Sequence, residues 1–162
     1  MNAAEFFKWF TPIIVGLISA YVASSLALKK FKKEKVWDER RAAYKEVIES
    51  IEEIIHWSEQ LRASHCCEPT IGREGDVDAS LRNLAKYSAT GALIFSESFH
   101  DILKDANGRI HRIMFQIDDE SKPDLNSEKE MAEWRFVHAS EMRKVLEECL
   151  PKLISVAKSE QP

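Results

Sequence analysis

Glycine and proline are scarce in this chain, five of each in 162 residues. Folds made of short strands and tight turns draw heavily on both, so their scarcity turns attention to helices. Cysteine is scarcer still. Cys66, Cys67 and Cys149 form no Cys-x-x-Cys pair and no even set, which excludes a disulfide framework and a zinc ribbon. There is no Gly-rich phosphate loop, nucleophile elbow or metalloprotease helix. No internal repeat or low-complexity segment appears. The sequence therefore offers no catalytic motif and implies no cofactor, and the expectation is a protein that is not an enzyme.

Net positive charge is also missing from most of the chain. Residues 42–162 carry 15 basic and 23 acidic side chains, a net −8, whereas residues 29–41 carry seven basic and three acidic, a net +4. A domain of net negative sign repels a phosphate backbone, so nucleic acid is not an expected partner. The basic segment suits anionic lipid headgroups, at about 1 kcal/mol per Lys or Arg near the surface.

Among what is present, Trp9 to Leu28 stands out: 20 consecutive residues without a charge, between Lys8 and Lys29–Lys30. About 20 apolar residues cross a bilayer core of roughly 30 Å. The lysines Lys29, Lys30, Lys32, Lys33 and Lys35 follow the run, an arrangement that keeps this side cytoplasmic and the N-terminus outside. A cleaved signal peptide carries its charge before the apolar run, so an anchor is expected instead. Phe6, Phe7, Trp9 and Phe10 suit the outer interface. Thr11–Pro12 has the form of an N-cap and first helical position; a helix beginning earlier would be kinked at Pro12. Gly16, Ala20 and Ser24 form one row of small residues and Ser19, Ala23 and Ala27 another, the pattern by which membrane helices pair.

The basic run leads without Gly or Pro into a helix with Trp37, Tyr44, Ile51 and Ser58 at sevens and Val47, Ile54 and Leu61 between them. Its apolar arc, from Trp57 round to Ile48, is wide enough for two partner helices. Residues 64–77 read as a loop. Asp78 is the expected cap of a second helix through about Ile94, with Leu81, Leu84, Ala85, Ser88, Gly91, Ala92 and Phe95 on one face. Ser96 is the expected cap of a third, whose 3.6-residue period runs through Asn107–Gly108 as far as Ile117. After a loop at ESKPDLN, Ser127 and Glu130 form a capping box for a fourth helix to about Leu150, with Met131, Trp134, His138, Met142, Val145 and Cys149 inward. Pro151 is expected to begin a last short turn.

The predicted fold class is thus all-α: a tail (1–8), a single transmembrane helix (9–28), a basic juxtamembrane segment (29–41), an antiparallel four-helix bundle in the cytoplasm (42–158) and a polar tail (159–162).

Two Glu-x-x-His pairs, Glu53/His56 and Glu97/His100, have the spacing of metal ligands in di-iron bundles. With Ile51, Ile55 and Phe99 facing the core, both pairs fall on solvated faces, so no metal site is expected. His65-Cys66-Cys67 are adjacent residues that cannot wrap one ion. His138, at the centre of the fourth helix's stripe, is the candidate buried polar residue: a neutral imidazole with a hydrogen-bond partner.

At Lys35-Val36-Trp37-Asp38-Glu39-Arg40-Arg41-Ala42-Ala43-Tyr44 the chain resembles a group of bacterial single-pass membrane proteins without a known activity. They share an N-terminal span, a basic collar and a Trp-acid-basic-Ala-Tyr helix start. A weaker likeness lies in IFSESFHDILKD, residues 94–105. The resemblance implies a bacterial inner-membrane location. The functional expectation is a membrane-anchored interaction or scaffold module, self-associating and with a cytoplasmic protein partner. The alternatives are an oligomerising membrane effector or small channel, phage-related or accessory, and more remotely a metal-dependent bundle enzyme.

Overall fold

The computed structural model describes the backbone of residues 3–70, 76–120 and 127–160, and the side chains of 15–70, 76–115 and 127–160. The side chains of Phe6, Phe7, Trp9, Phe10 and Ile117 and the loop stretches 71–75 and 121–126 lie outside these. The described chain is all α-helical apart from one short 3-10 turn and the connections. Its helices are α1 (Ala3–His65), α2 (Val77–Thr90), α3 (Glu97–Glu120) and α4 (Glu128–Ser159), with the turn at Gly91–Leu93. Two compact units divide it, Met1–Arg41 and Ala42–Pro162.

In the first unit the helix begins at Ala3, so Thr11–Pro12 is not its start. Helix hydrogen bonding begins before Thr11, and proline at an interior position removes only one of those bonds. Val15, Leu17, Ile18, Tyr21, Val22, Leu26 and Leu28 are all exposed, on every side of the helix. Among the described residues no helix is long and apolar enough to cross a membrane. The run Trp9–Leu28 is described in its side chains only from Val15 onward.

The second unit is an up-down-up-down bundle of the 42–65 part of α1 with α2, α3 and α4. Its register can be read from side-chain pairs. Tyr87 donates to Glu46, and Asn83 Nδ2 lies 3.5 Å from Ser50 Oγ, so α2 runs antiparallel to α1. Tyr44 Oη donates to Glu160 Oε2 at 2.5 Å, while Arg143 pairs with Glu59, so α4 also runs antiparallel to α1. Arg109 and Glu148 at 2.8 Å set α3 against α4. The core is one cluster that includes Val47, Ile51 and Ile54 from α1, Leu84 from α2, Phe99, Leu103 and Ile110 from α3, and Met142, Leu146 and Leu153 from α4. These are the apolar positions that helical periodicity selects.

The helix ends depart from expectation in three places. The cap of α2 is Asp76 rather than Asp78; its Oδ1 accepts from the Ala79 amide at 2.9 Å. A carboxylate three residues ahead of that amide can reach it, while Asp78 already lies within the first turn. Next, α2 stops at Thr90 instead of continuing to Ile94. The chain tightens at Gly91, where a Cβ would lie 2.8 Å from Phe95 Cδ2, so the Phe95 ring occupies the space a side chain would need. Ala92 accordingly faces solvent and Leu93 is 90% exposed. Finally, α4 passes straight through Pro151 to Ser159. An interior proline costs a helix roughly 3 kcal/mol. Beyond it Leu153 is fully buried, and Glu160 is held by Tyr44 and Ser96, so packing offsets that cost. As anticipated, α3 is unbroken at Asn107–Gly108, Ser96 Oγ accepts from the Phe99 amide at 3.3 Å, and Ser127 Oγ from that of Glu130 at 3.3 Å.

Candidate functional site

The lengths of the helices decide where the bundle is open. Because Tyr87 meets Glu46 and Asn83 meets Ser50, α2 comes alongside α1 only as far as the neighbourhood of Trp57, where Val77 begins it. By contrast α1 continues to His65, α3 to Glu120, and α4 starts at Glu128. At that end residues of all four helices line a space, α2 contributing only its first turns. The result is an open cleft of about 550 Å³, within the size range of ligand-binding pockets.

Each wall comes from one helix. Trp57 and Leu61 belong to α1, Val77 and Leu81 to α2, Met114 to α3, and Trp134, His138 and Met142 to α4. Apart from the buried Met142, these side chains are half-buried. Asp76 and Asp78 stand at the mouth on the α2 side and Arg135 on the α4 side, all three exposed. The outer end of the α4 wall is fastened to α1: the His65 ring stacks on Phe136 at 4.5 Å, and its Nε2 lies 3.3 Å from Glu133.

His138 is half-buried, with Nε2 shielded from solvent and its ring 5.6 Å from that of Trp134. It belongs to the cleft wall rather than the closed core. The Glu-x-x-His residues are not brought together. His56 is exposed and bonded to Gln60 at 2.8 Å, and Glu97 faces solvent. His100 bonds the Ser88 carbonyl at 2.9 Å. Among the described residues no group of three or more His, Cys, Asp or Glu is placed to hold a metal.

Cys66 and Cys67 are exposed, and Cys149 is buried. Burial pushes the Cys149 thiol up to about 11, so it stays protonated and is a poor nucleophile. In the first unit Gly16, Ala20 and Ser24 share one exposed face, and a Cβ at Gly16 would meet nothing within 4 Å. The collar lysines Lys29, Lys30, Lys32, Lys33 and Lys35 are all exposed.

Sequence reasoning did not find the cleft. Its aromatic residues Trp57 and Trp134 look like any other member of an apolar stripe. The available signal was the short second helix facing much longer partners, which leaves part of their stripes uncovered.

The fold and cleft define a helical bundle with an open groove at one end. Compared with family models, curated proteins and solved structures, the chain matches none.

Proposed function

We propose that the protein is a membrane-anchored helical interaction module of the bacterial inner membrane. Its N-terminus lies outside, and its bundle works in the cytoplasm by binding a protein partner rather than by catalysis. The observation that carries this reading is the exposed apolar surface of Val15–Leu28, bordered at once by five exposed lysines. So large an apolar surface costs free energy in water, at about 25 cal/mol per Å². A bilayer supplies the cover, and its anionic headgroups supply counter-charges for the lysines. The half-buried aromatic lining of the cleft supports a binding role.

The test is fractionation. The wild type is expected in the membrane pellet after alkaline carbonate extraction. Ile18→Lys with Val22→Lys, each costing roughly 3 kcal/mol at the centre of a span, should move the chain to the supernatant. Wild-type chain in the supernatant would overturn the anchor.

Self-association is a second element of the proposal, favoured by the unobstructed row Gly16, Ala20 and Ser24. Gly16→Ile with Ala20→Ile should abolish crosslinked oligomers. An effector or channel reading additionally requires depolarisation on expression, measured with a potential-sensitive dye.

A further inference from the structure

We propose that Cys66 and Cys67 form a thiol–disulfide exchange site. Cys66 takes one half of a low-molecular-weight disulfide of the glutathione type, and Cys67 then displaces it to leave a disulfide between the two residues. The proposal is independent of the membrane anchor.

Both thiols are exposed, whereas Cys149 is buried. They stand where α1 ends, and the ending arranges them. The Cys66 amide still donates to the Arg62 carbonyl at 2.9 Å, so Cys66 keeps helical register and its side chain lies over the turn that carries Arg62. The Arg62 guanidinium is pushed up first by its bond to Glu68 and further by charge and hydrogen-bond contact with Cys66, which puts the sulfur within its reach. Glu59 and Glu68, each 2.8 Å away, hold the guanidinium in place. Positive charge there stabilises the negative sulfur that attacks. Cys67 is where the chain turns back. Its φ is 57°, its amide donates to the Ser64 carbonyl at 3.2 Å, and the Glu68 amide returns to Ala63 at 2.8 Å. Glycine meets this conformation without strain, so a thiol here is an outlier of the kind that marks a functional position. Two exposed thiols on consecutive residues, one of them beside a cation, have the arrangement of an attacking thiol with its resolving partner.

In the first step the Cys66 sulfur gives its proton to water and attacks one sulfur of the small disulfide. That S–S bond breaks, and the released thiolate takes up a proton. In the second step the Cys67 sulfur loses its proton and attacks the Cys66 sulfur, and the other small thiol leaves protonated. Two protein thiols are oxidised, and one small disulfide is reduced to two thiols. Neighbouring Cα atoms are about 3.8 Å apart across a trans peptide, less than the roughly 4.4–6.8 Å of ordinary disulfides, so the product reopens readily when reductant returns. The pair is a dithiol in reducing surroundings and closes when small disulfides accumulate.

The experiment exposes the full chain in nanodiscs, reduced and freed of reductant, to oxidised glutathione, and follows it by intact-mass spectrometry and peptide mapping. The wild type is expected to pass through a form with one glutathionyl group on Cys66 and to end lighter by two hydrogens, with Cys66 joined to Cys67 and Cys149 unmodified. Cys67→Ser should stop at the Cys66 mixed disulfide, and Cys66→Ser should react at Cys67 roughly tenfold more slowly. Arg62→Gln should slow the Cys66 step roughly threefold, and Arg62→Lys should recover part of that rate. A synthetic peptide of residues 60–70 should react roughly threefold more slowly than the folded chain.

Equal rates in chain and peptide would mean that adjacency in sequence is all there is, and would overturn the proposal. A mixed disulfide that persists on the wild type would deny Cys67 its part. Dimers linked through either cysteine would make the pair a crosslink between copies. Either result overturns the proposal as well.

Discussion

The two ends of the bundle are made from the same helices and solve packing differently. At the closed end, Tyr44 stacks on Phe95 with centroids 5.0 Å apart and meets Phe99 edge-on at 4.5 Å, while Tyr87 lies 5.6 Å from Phe95. The hydroxyls there are answered, Tyr87 by Glu46 and both Tyr44 and Ser96 by Glu160, so a carboxylate just past α4 ties three segments together. At the open end, Trp57, Leu61, Met114 and Trp134 remain half-exposed around a cavity. Stability is therefore concentrated at one end and accessible apolar surface at the other. A bundle can leave a groove unfilled when its remaining core is dense enough to hold the walls in place.

The sharpest way to break this comparison is to truncate one aromatic at each end. Phe99 is fully buried, and Phe99→Ala should cost about 3–5 kcal/mol in denaturant unfolding. Trp134→Ala removes a side chain that is already half in water and should cost less than half as much; equal losses would show that the ends do not differ. Next in size is Gly91→Ala. Its new methyl would press on Phe95, for an expected loss of about 1–3 kcal/mol, and Phe95→Leu in the same chain should recover part of it.

A third measurement uses pH. Burial, then the hydrogen bond and charge of Glu46, push the Tyr87 hydroxyl up from 10 to about 12 in the folded state. Its neutral form is thus favoured by folding, and its contribution is complete below pH 10 and lost as pH rises from 10 toward 12. Stability should fall by about 2 kcal/mol more across that window in the wild type than in Tyr87→Phe, as read from urea midpoints. Parallel pH curves would remove Tyr87 from the account of the closed end.

The smallest expected effect lies at the end of α1, beside the cleft. Cys67 has φ of 57°, and the Glu68 amide reaches back to the Ala63 carbonyl at 2.8 Å, a helix ending that usually places glycine at this position. Relieving the left-handed strain in Cys67→Gly should raise stability by about 0.5–1 kcal/mol, seen as a higher thermal midpoint.

Much of this architecture was legible in the sequence. Periodicity selected the core faces of α1, α3 and α4 and only part of that of α2, where Ser80 and Tyr87 are buried beside Leu84, and Ser96 and Ser127 announced their helix starts through side chains that reach a nearby amide. What was not legible depended on distant partners. Nothing local to Pro151 says that Leu153 will be buried beyond it, or that Glu160 will meet Tyr44 and Ser96. Tyr87 did not appear on the expected face of α2, because its burial depends on Glu46 in another helix. His138 was visible as a polar residue in an apolar stripe, but its place on an open wall follows from the length of α2, a property of a different segment.

The cap of α2 has a consequence of its own. The bond from the Ala79 amide to Asp76 fixes where that helix starts, and so how far it reaches along the three longer helices. The capacity of the groove is thereby written in a punctuation mark rather than in its walls. Moving that mark one turn earlier would shrink the groove without altering a single core residue. A change confined to the connection before α2 would then resize the groove and leave the rest of the scaffold as it is.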